Sequence, residues 1–319
     1  MRLLIFLLLS LLASAACAQT WPAKAVRIVV AYPPGGGIDV MARQIAEKLT
    51  PAWGQPVVVE NRPGANTIVA GDAVAKAAPD GHTILMTTDA TFSINPHLYA
   101  RLPFDTRRDF TPVTMLVLLQ QLLVAHPSVP ADDLQGLIAL ARSKPGSINY
   151  ASYGSGSQPH LSGEMLKHRA GIDLVHVPYK GISLAVPAVI AGEVQLTFSG
   201  IASSMAHLKS GRLKAIAIGG PKRSPLLPQV PTFAELGFPE VETHAWFGFF
   251  LPAGSPNEAV SRIYTDVKRI LDEPDFRQKQ LIDRGYEVIG SSPGEFAAYI
   301  TKDSESRARA VKISGAKAE

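Results

Sequence analysis

The chain has 319 residues, a net charge of +4 and 46% hydrophobic residues, with a single cysteine. A chain of this size can bury a large core and is near the length at which proteins divide into two domains. Its basic residues are scattered and are not interleaved with aromatic residues, which excludes a nucleic-acid-binding pattern. A lone cysteine excludes a fold held by disulfide bonds.

The first eighteen residues have the pattern of a secretory signal peptide. Arg2 precedes an apolar run at residues 3–12, and small residues follow, ending in Ala16-Cys17-Ala18; this predicts cleavage before Gln19. The apolar run is too short to cross a membrane as a helix. Lipid anchoring through Cys17 is the less favoured alternative, because Ser14 stands where lipoproteins usually carry a leucine-like residue. We therefore expect export to the periplasm and a mature chain without cysteine.

From residue 25 onward, short apolar runs alternate with segments whose apolar residues recur at helical spacing. This alternation predicts α/β units with parallel sheets. The predicted strands lie at residues 25–31, 56–60, 83–87, 113–125, 147–151, 174–177, 194–198, 213–218 and 246–251, with a break in the long strand near Gln120-Gln121. The predicted helices lie at residues 38–49, 68–78, 134–144, 160–169, 182–191, 201–210, 257–271, 274–284 and 293–312.

The sequence changes its rhythm at two places, around Gln120 and across the proline-rich residues 225–244. Two segments that cross between two lobes would produce both changes. We therefore expect one domain at residues 19–120 and 242–319, and a second domain at residues 121–241.

The turn between the first predicted strand and the first predicted helix is the most informative segment. A β-branched run at residues 26–30 leads through Gly35-Gly36-Gly37 to Asp39. Glycine lets the backbone approach a ligand, and the free N–H groups of a helix start attract anions. The turn lacks the Lys-Ser/Thr of a P-loop and the third glycine of a dinucleotide fingerprint. Two interpretations stay open: an anion site, or a tight turn with Asp39 at the helix start.

Further loops rich in glycine and hydroxyl residues follow other predicted strands, at residues 88–91, 152–157, 179–181 and 199–200. Ligands of open α/β sheets bind beyond the carboxyl ends of the strands, so these loops predict a site for a small polar ligand. Each Ser or Thr taken alone is more simply a helix cap. His160 either hydrogen-bonds the ligand or orients its loop.

No catalytic or metal pattern accompanies these loops. Residues 154–158 lack the spacing of a GxSxG nucleophile elbow, and the histidines include no HExxH pair. Asp39 and Asp89 could meet in space, but no nucleophile accompanies them. We therefore expect binding without a cofactor or metal. The alternative from a different class is a secreted enzyme that acts on small carboxylic acids through these two carboxylates.

A set of motifs spread over nearly the whole mature chain resembles one family. The set comprises Trp21-Pro22, residues 34–37 with Asp39, and residues 54–65, 77–81, 94–96, 149–152, 175–181, 222–225, 228–231, 246–248 and 252–254. It resembles the Bug receptors, the extracytoplasmic solute-binding proteins of tripartite tricarboxylate transporters. The resemblance implies an α/β, type II-like periplasmic binding protein with two lobes, each a mainly parallel sheet flanked by helices, joined by two crossing segments.

The same resemblance implies a cleft that closes on a small carboxylate held by backbone amides, hydroxyls and waters. The predicted ligand-binding residues are Tyr32, Pro33, Gly35, Gly36 and Asp39 on one wall, Thr88, Asp89, Ala90 and Thr91 on another, and Ser152, Gly154, Ser157 and Tyr179 from the second lobe, with His160 and Ser199 added from the loops themselves. Many relatives carry Asp where this chain has Ser199, and Asn or Ser where it has Asp89. The two departures pull in opposite directions, because Ser199 removes a carboxylate partner for a ligand ammonium and Asp89 could restore one. Our hypothesis is a plain mono- or dicarboxylate.

The implied partners are the small carboxylate and the membrane permease subunits of the transporter, and the receptor is expected to act as a monomer. A membrane histidine kinase is the alternative partner, because permease and kinase would both use the surface that closure creates.

Overall fold

The computed structural model describes residues 21–179, 181–220, 222–241 and 243–316. The predicted signal peptide at residues 1–18, with Cys17, lies outside the described residues. Within these ranges no helix combines the length and the apolar character needed to cross a membrane.

The described chain alternates strands and helices. The strands are β1 (Val26–Val30), β2 (Val57–Asn61), β3 (Thr83–Thr88), β4 (Phe110–Ala125), β5 (Asn149–Ser152), β6 (Val175–Pro178), β7 (Leu196–Gly200), β8 (Lys214–Ile218), β9 (His244–Pro252) and β10 (Tyr286–Val288). The helices are α1 (Gly37–Trp53), α2 (Ile68–Ala75), α3 (Asn95–Leu98), α4 (Leu134–Ser143), α5 (Gln158–Ala170), α6 (Ile182–Ile190), α7 (Ile201–Lys209), α8 (Asn257–Asp272), α9 (Pro274–Phe276) and α10 (Pro293–Ser314).

The first lobe is built on strands β2, β1 and β3, which lie side by side and parallel. Strand β9 joins β3 antiparallel, and the first part of β4 joins β9 antiparallel. Both faces of this sheet are apolar: one packs on α1 and α8, and the other on α2 and the start of α10. Such burial on both faces explains the nearly unbroken apolar character of β1 and β3.

The second lobe repeats this plan with parallel strands β6, β5 and β7. The last part of β4 pairs antiparallel with β7 and β8. One face packs on α4 and α5, and the other on α6 and α7. The sheets are therefore mixed rather than mainly parallel, because the strands that cross between lobes enter each sheet antiparallel to their neighbours.

Strand β4 is continuous from Phe110 to Ala125, so the predicted break near Gln120-Gln121 is wrong. What changes there is the partner: Gln120 pairs with His244 in the first lobe, and Gln121 pairs with Gly200 in the second. Polar side chains therefore lie where β4 changes partners. One of them, Gln120, donates from Nε2 to the carbonyl oxygen of Lys222 at 2.7 Å.

The C-terminal helix α10 connects the two lobes a third time. Phe296 near its start lies in a core cluster of the first lobe, whereas Ala310 and Val311 near its end lie in a core cluster of the second. The predicted helix at 274–284 is regular only through Phe276, because irregular turns follow and end at Gly285, which has a φ of 78°. The sequence does not predict β10, whose three residues are all half-buried.

Candidate functional site

The first-lobe loop, residues 32–37, connects the carboxyl end of β1 to α1 and is exposed from Pro33 to Gly37. Gly35 adopts a φ of 85°, a conformation that favours glycine. This loop carries Tyr32, Pro33, Gly35 and Gly36 of the predicted site, and the backbone of the last two faces solvent.

Asp39 lies behind the first-lobe loop and is buried. Its carboxylate accepts hydrogen bonds from the Gly35 amide at 2.8 Å, from Arg43 Nε at 3.1 Å and from Asn61 Nδ2 at 2.9 Å. Burial alone would raise the pKa of Asp39, but the bonds from Arg43, Gly35 and Asn61 together hold it below its usual value. Asp39 is thus an ionised anchor that shapes the loop from behind.

We expect Asp39→Asn to lower the free energy of unfolding by about 1–3 kcal/mol at pH 7, because an amide offers one acceptor where three donors converge. The contribution of a depressed carboxyl pKa is present above the unfolded-state value of 3.8 and is lost as the pH falls through the lower folded-state value. The difference from wild type should therefore shrink below pH 3.8 in urea titrations. Asp275→Asn is the exposed control; its ion pair to Lys279 is on the surface, and a loss equal to that of Asp39→Asn would refute the anchoring role.

The second predicted wall follows β3. The Thr88 hydroxyl lies 2.9 Å from the Tyr32 hydroxyl, so the structure brings these two predicted residues together. Burial raises the pKa of Tyr32 to about 12, which keeps it a neutral hydrogen-bonding group. Ala90 is buried, and its amide donates to Thr88 Oγ1 at 3.2 Å.

Thr91 is fully buried one turn further on, within a chain of hydroxyls. Its hydroxyl contacts Thr87 at 2.6 Å and donates to Thr67 at 2.7 Å. Thr67 belongs to a run in which Ala65, Asn66 and Thr67 all have positive φ values of 45–78°. Such a run is costly for non-glycine residues, and the bonds from Thr91 help to hold it.

Asp89 is also buried, and its carboxylate turns toward the C-terminal helix. The Arg307 guanidinium lies 3.6 Å from Asp89 and 3.4 Å from Asp303, and both side chains of α10 are almost completely buried. Burial raises the pKa of Asp89 to about 7; the Arg307 charge opposes the rise, and the Asp303 charge adds to it. Two carboxylates therefore share one cation beneath the wall that Thr88 forms.

The second-lobe loop, residues 152–157, connects β5 to α5. The Ser152 hydroxyl donates to the Gly154 carbonyl at 3.1 Å and accepts from the Gly154 amide at 3.2 Å. The Ser157 hydroxyl donates to the same carbonyl at 2.6 Å. His160 lies below the loop, where its Nδ1 accepts from the Gly156 amide at 2.9 Å. The loop is therefore held by short internal hydrogen bonds.

The last two predicted residues flank this loop. The Tyr179 amide donates to the Ser152 carbonyl at 3.0 Å, which aligns the ends of β5 and β6. Ser199 is fully buried beside the Tyr153 hydroxyl, which donates to the Phe198 carbonyl at 2.7 Å. Tyr179 is therefore at the edge of the site, and Ser199 is behind it.

The two lobes meet at these loops. A Cβ atom added to Gly156 in the second lobe would overlap Leu98 of α3, a helix that precedes β4 in the chain and packs in a core cluster of the second lobe. A Cβ atom at Gly285 of the first lobe would lie 2.6 Å from Ile201 Cβ, at the start of α7. Glycine at position 285 thus permits the close approach of the lobes, and glycine at position 156 permits the packing of α3 on the second-lobe loop.

Helix starts at this interface share one property. Helices α1, α5, α6 and α7 begin after Gly36, Ser157, Gly181 and Gly200, and none of these residues makes a side-chain capping bond. Of the helices that begin elsewhere, α4 and α10 are capped by Asp133 and Ser292, but α8 has no side-chain cap either. What distinguishes the four starts at the interface is their place after the carboxyl ends of parallel strands from both lobes, where their free N–H groups are available to an anion.

A family model described as "Tripartite tricarboxylate transporter family receptor" matches residues 41–315. The chain belongs to this receptor family. Protein BugT of Bordetella pertussis is 33% identical to this receptor over 318 residues, which are 98% of this chain and 96% of BugT. The predicted family is therefore confirmed, and the receptor is a solute-binding protein and not an enzyme.

Solved structures agree with the fold of the receptor. R. palustris Rpa4515 with adipate superposes with a TM-score of 0.85 and 33% identity, covering 93% of this chain and 99% of that one. MatC (Rpa3494) from Rhodopseudomonas palustris with bound malate gives a TM-score of 0.81 and 32% identity, covering 91% of this chain and 100% of that one. The predicted two-lobed α/β binding-protein fold is confirmed.

Two residues outside the predicted ligand-binding set contact members of the candidate site. His176 lies 2.6 Å from the Ser152 hydroxyl through its Nε2, and Arg307 compensates Asp89 from 218 positions away. His176 sits in a strand of ordinary alternation and Arg307 in a charged helix, so neither carries a local signal. Only the fold places them next to the loops.

Proposed function

We propose that the protein is an extracytoplasmic receptor that binds a small dicarboxylate between its lobes and delivers it to a tripartite tricarboxylate-type permease. The observation that carries this proposal is the set of uncapped helix starts after Gly36, Ser157, Gly181 and Gly200. Charge-assisted hydrogen bonds from backbone amides favour a carboxylate at each of them.

The proposed cleft combines these amides with neutral hydroxyls. Tyr32 and Ser157 present hydroxyls, with the buried Thr88 bonded to Tyr32 behind them, and Pro33, Gly35, Gly36, Gly154 and Tyr179 shape the walls. In our proposal Asp39, Asp89, Ala90, Thr91, Ser152, His160 and Ser199 act behind these walls, because each is buried. A dicarboxylate suits a cleft with anion-binding starts on both lobes, and the adipate and malate found in the two neighbouring structures support this ligand class.

The proposed lobes are residues 19–120 with 242–319, and residues 121–241. The change of partners along β4 at Gln120 and Gln121 supports this division. In the same proposal residues 1–18 are a cleaved signal peptide, the mature chain is a periplasmic monomer, and closure creates the surface that binds the permease.

We expect adipate or malate to raise the thermal midpoint of residues 19–319, whereas adipamide should not. Ligand at a hundred times its Kd stabilises the native state by about 2.7 kcal/mol. Gly200→Asp tests the site directly: φ is −62° there and a Cβ atom meets nothing within 4 Å, so the new carboxylate caps α7 and repels the ligand. We expect the ligand-free midpoint to stay or rise and the ligand shift to fall at least by half.

Gly200→Asn is the matched control, since it supplies a cap of the same size without charge. A ligand shift that Gly200→Asp leaves intact would remove this helix start from the site. A response to amides as strong as to acids would contradict a carboxylate receptor.

A further inference from the structure

We propose that His160 and His176 form a stacked pair that positions the second-lobe loop for the ligand without contacting the ligand itself. This inference rests on the proposed function, because it takes the second-lobe loop as one wall of the cleft. The proposed cleft binds a carboxylate through backbone amides and hydroxyls, and this binding gives the two histidines no role. A role in positioning the loop accounts for them.

The two imidazole rings lie parallel, with centroids 3.9 Å apart and planes 8° from each other. The Tyr150 ring also stacks on His176, with centroids 5.0 Å apart. The three rings come from three elements: His160 from α5, His176 from β6 and Tyr150 from β5. Their stacking therefore fixes the loop between β5 and α5 relative to the neighbouring strand.

Each ring holds a different part of the loop. His160 Nδ1 accepts from the Gly156 amide at 2.9 Å, and His176 Nε2 lies 2.6 Å from the Ser152 hydroxyl. Ser152 in turn bonds both the amide and the carbonyl of Gly154. The pair thus sets the positions of Gly154 and Gly156, and Gly156 is the residue that meets Leu98 of α3.

The acceptor role of His160 requires a neutral ring. Burial lowers the pKa of His160; Glu164 opposes this effect and Lys167 adds to it. Burial, the neighbouring His160 and Lys167 lower the pKa of His176 to about 4. The Tyr150 hydroxyl donates to Glu164, which also pairs with Lys167. Both rings are therefore neutral at pH 7, and the loop keeps its shape there.

The two rings use different nitrogens, which permits a matched test. At position 160 an asparagine oxygen can replace Nδ1 as the acceptor, and at position 176 a glutamine amide can replace Nε2 as the donor to the Ser152 hydroxyl, whereas the reverse exchange misplaces the hydrogen-bonding atom. We expect His160→Asn to retain slow hydrogen exchange at the Gly156 amide and His160→Gln to lose it by at least tenfold. For position 176 the order reverses, so His176→Gln should resemble wild type and His176→Asn should not.

Adipate and malate affinities, measured by calorimetry on the same variants, should follow the same order. We expect a change within threefold for His160→Asn and His176→Gln, and a loss of tenfold or more for the other two. Both members of each pair lose the imidazole stack, so a merely structural role would weaken both equally, and that result would overturn the proposal. If neither acid binds the wild type, the proposed ligand class fails, while the exchange of Gly156 still decides the role of the pair.

Discussion

Replacing Arg307 by methionine should lower the free energy of unfolding by about 3–5 kcal/mol at pH 8, the cost of breaking a buried ion pair by removing one partner. Arg307 is 2% exposed and lies against Asp89, Asp303 and the His244 carbonyl, to which it donates at 2.6 Å. Methionine fills most of the space but leaves two carboxylates buried without a cation. Urea titrations followed by tryptophan fluorescence would measure the loss.

The titration of Asp89 determines how the stability loss of Arg307→Met depends on pH. Its folded-state pKa of about 7 lies above the unfolded value of 3.8, so its contribution to stability is present at low pH and is lost as the pH rises through 7. Without Arg307 that pKa rises further. The difference between variant and wild type should therefore be largest at pH 8 and smaller at pH 5.

Two controls test this reading of Arg307. Arg169→Met removes an exposed ion pair to Glu240 and should cost at most about 1 kcal/mol. Adding Asp89→Asn to Arg307→Met should recover part of the stability, because one uncompensated carboxylate is removed. A defect that is independent of pH and not relieved by Asp89→Asn would show that packing, and not charge, governs the position.

Replacing Gly156 by alanine should weaken binding of the most stabilising acid by ten- to a hundredfold. The new methyl group would overlap Leu98, and Leu98 is buried and cannot turn into solvent. The second-lobe loop must then move away from α3, and a ligand that bridges both lobes loses one charged hydrogen bond, worth about 1.5–3 kcal/mol. Calorimetry would give the affinity.

The effect of the overlap with Leu98 can be separated from the effect of backbone strain at Gly156. Gly156 has a φ of 75°, so alanine is strained there in any case. Gly171→Ala has the same kind of strain, with a φ of 59° and no neighbour within 4 Å, and should leave the affinity unchanged. Leu98→Ala combined with Gly156→Ala should restore most of it, and failure to do so would refute the contact between this loop and Leu98 as the cause.

Elements with a strong local pattern were predictable from the sequence. Helix α1 shows apolar residues at helical spacing, and its predicted end at residue 49 is four residues short because Pro51 lies inside the last turns before Gly54. The break predicted in β4 is wrong for a different reason. Gln120 and Gln121 are polar because the strand changes sheets there, and a change of partners leaves no mark on the backbone period.

The candidate site shows the same limit. Loops at strand ends could be located from glycines and hydroxyls, because the carboxyl ends of parallel strands meet at one edge. The direction of each side chain could not be predicted, because it depends on partners that are distant in the sequence. Asp39 and Asp89 look alike in the sequence. In the structure, Asp39 accepts a hydrogen bond from the Gly35 amide of its own turn, whereas Asp89 faces Arg307 on the last helix.

The third connection between the lobes has a mechanical consequence. Strands β4 and β9 pair with each other up to the point where β4 enters the second lobe, but α10 begins in the core of the first lobe and ends in the core of the second. Any wide opening must bend this helix or detach its last turns, which limits the angular range of the clamp. In a receptor with such a narrow range, only a small part of the ligand's binding free energy is needed to reorient the lobes. A probe attached near the end of α10 would report their movement.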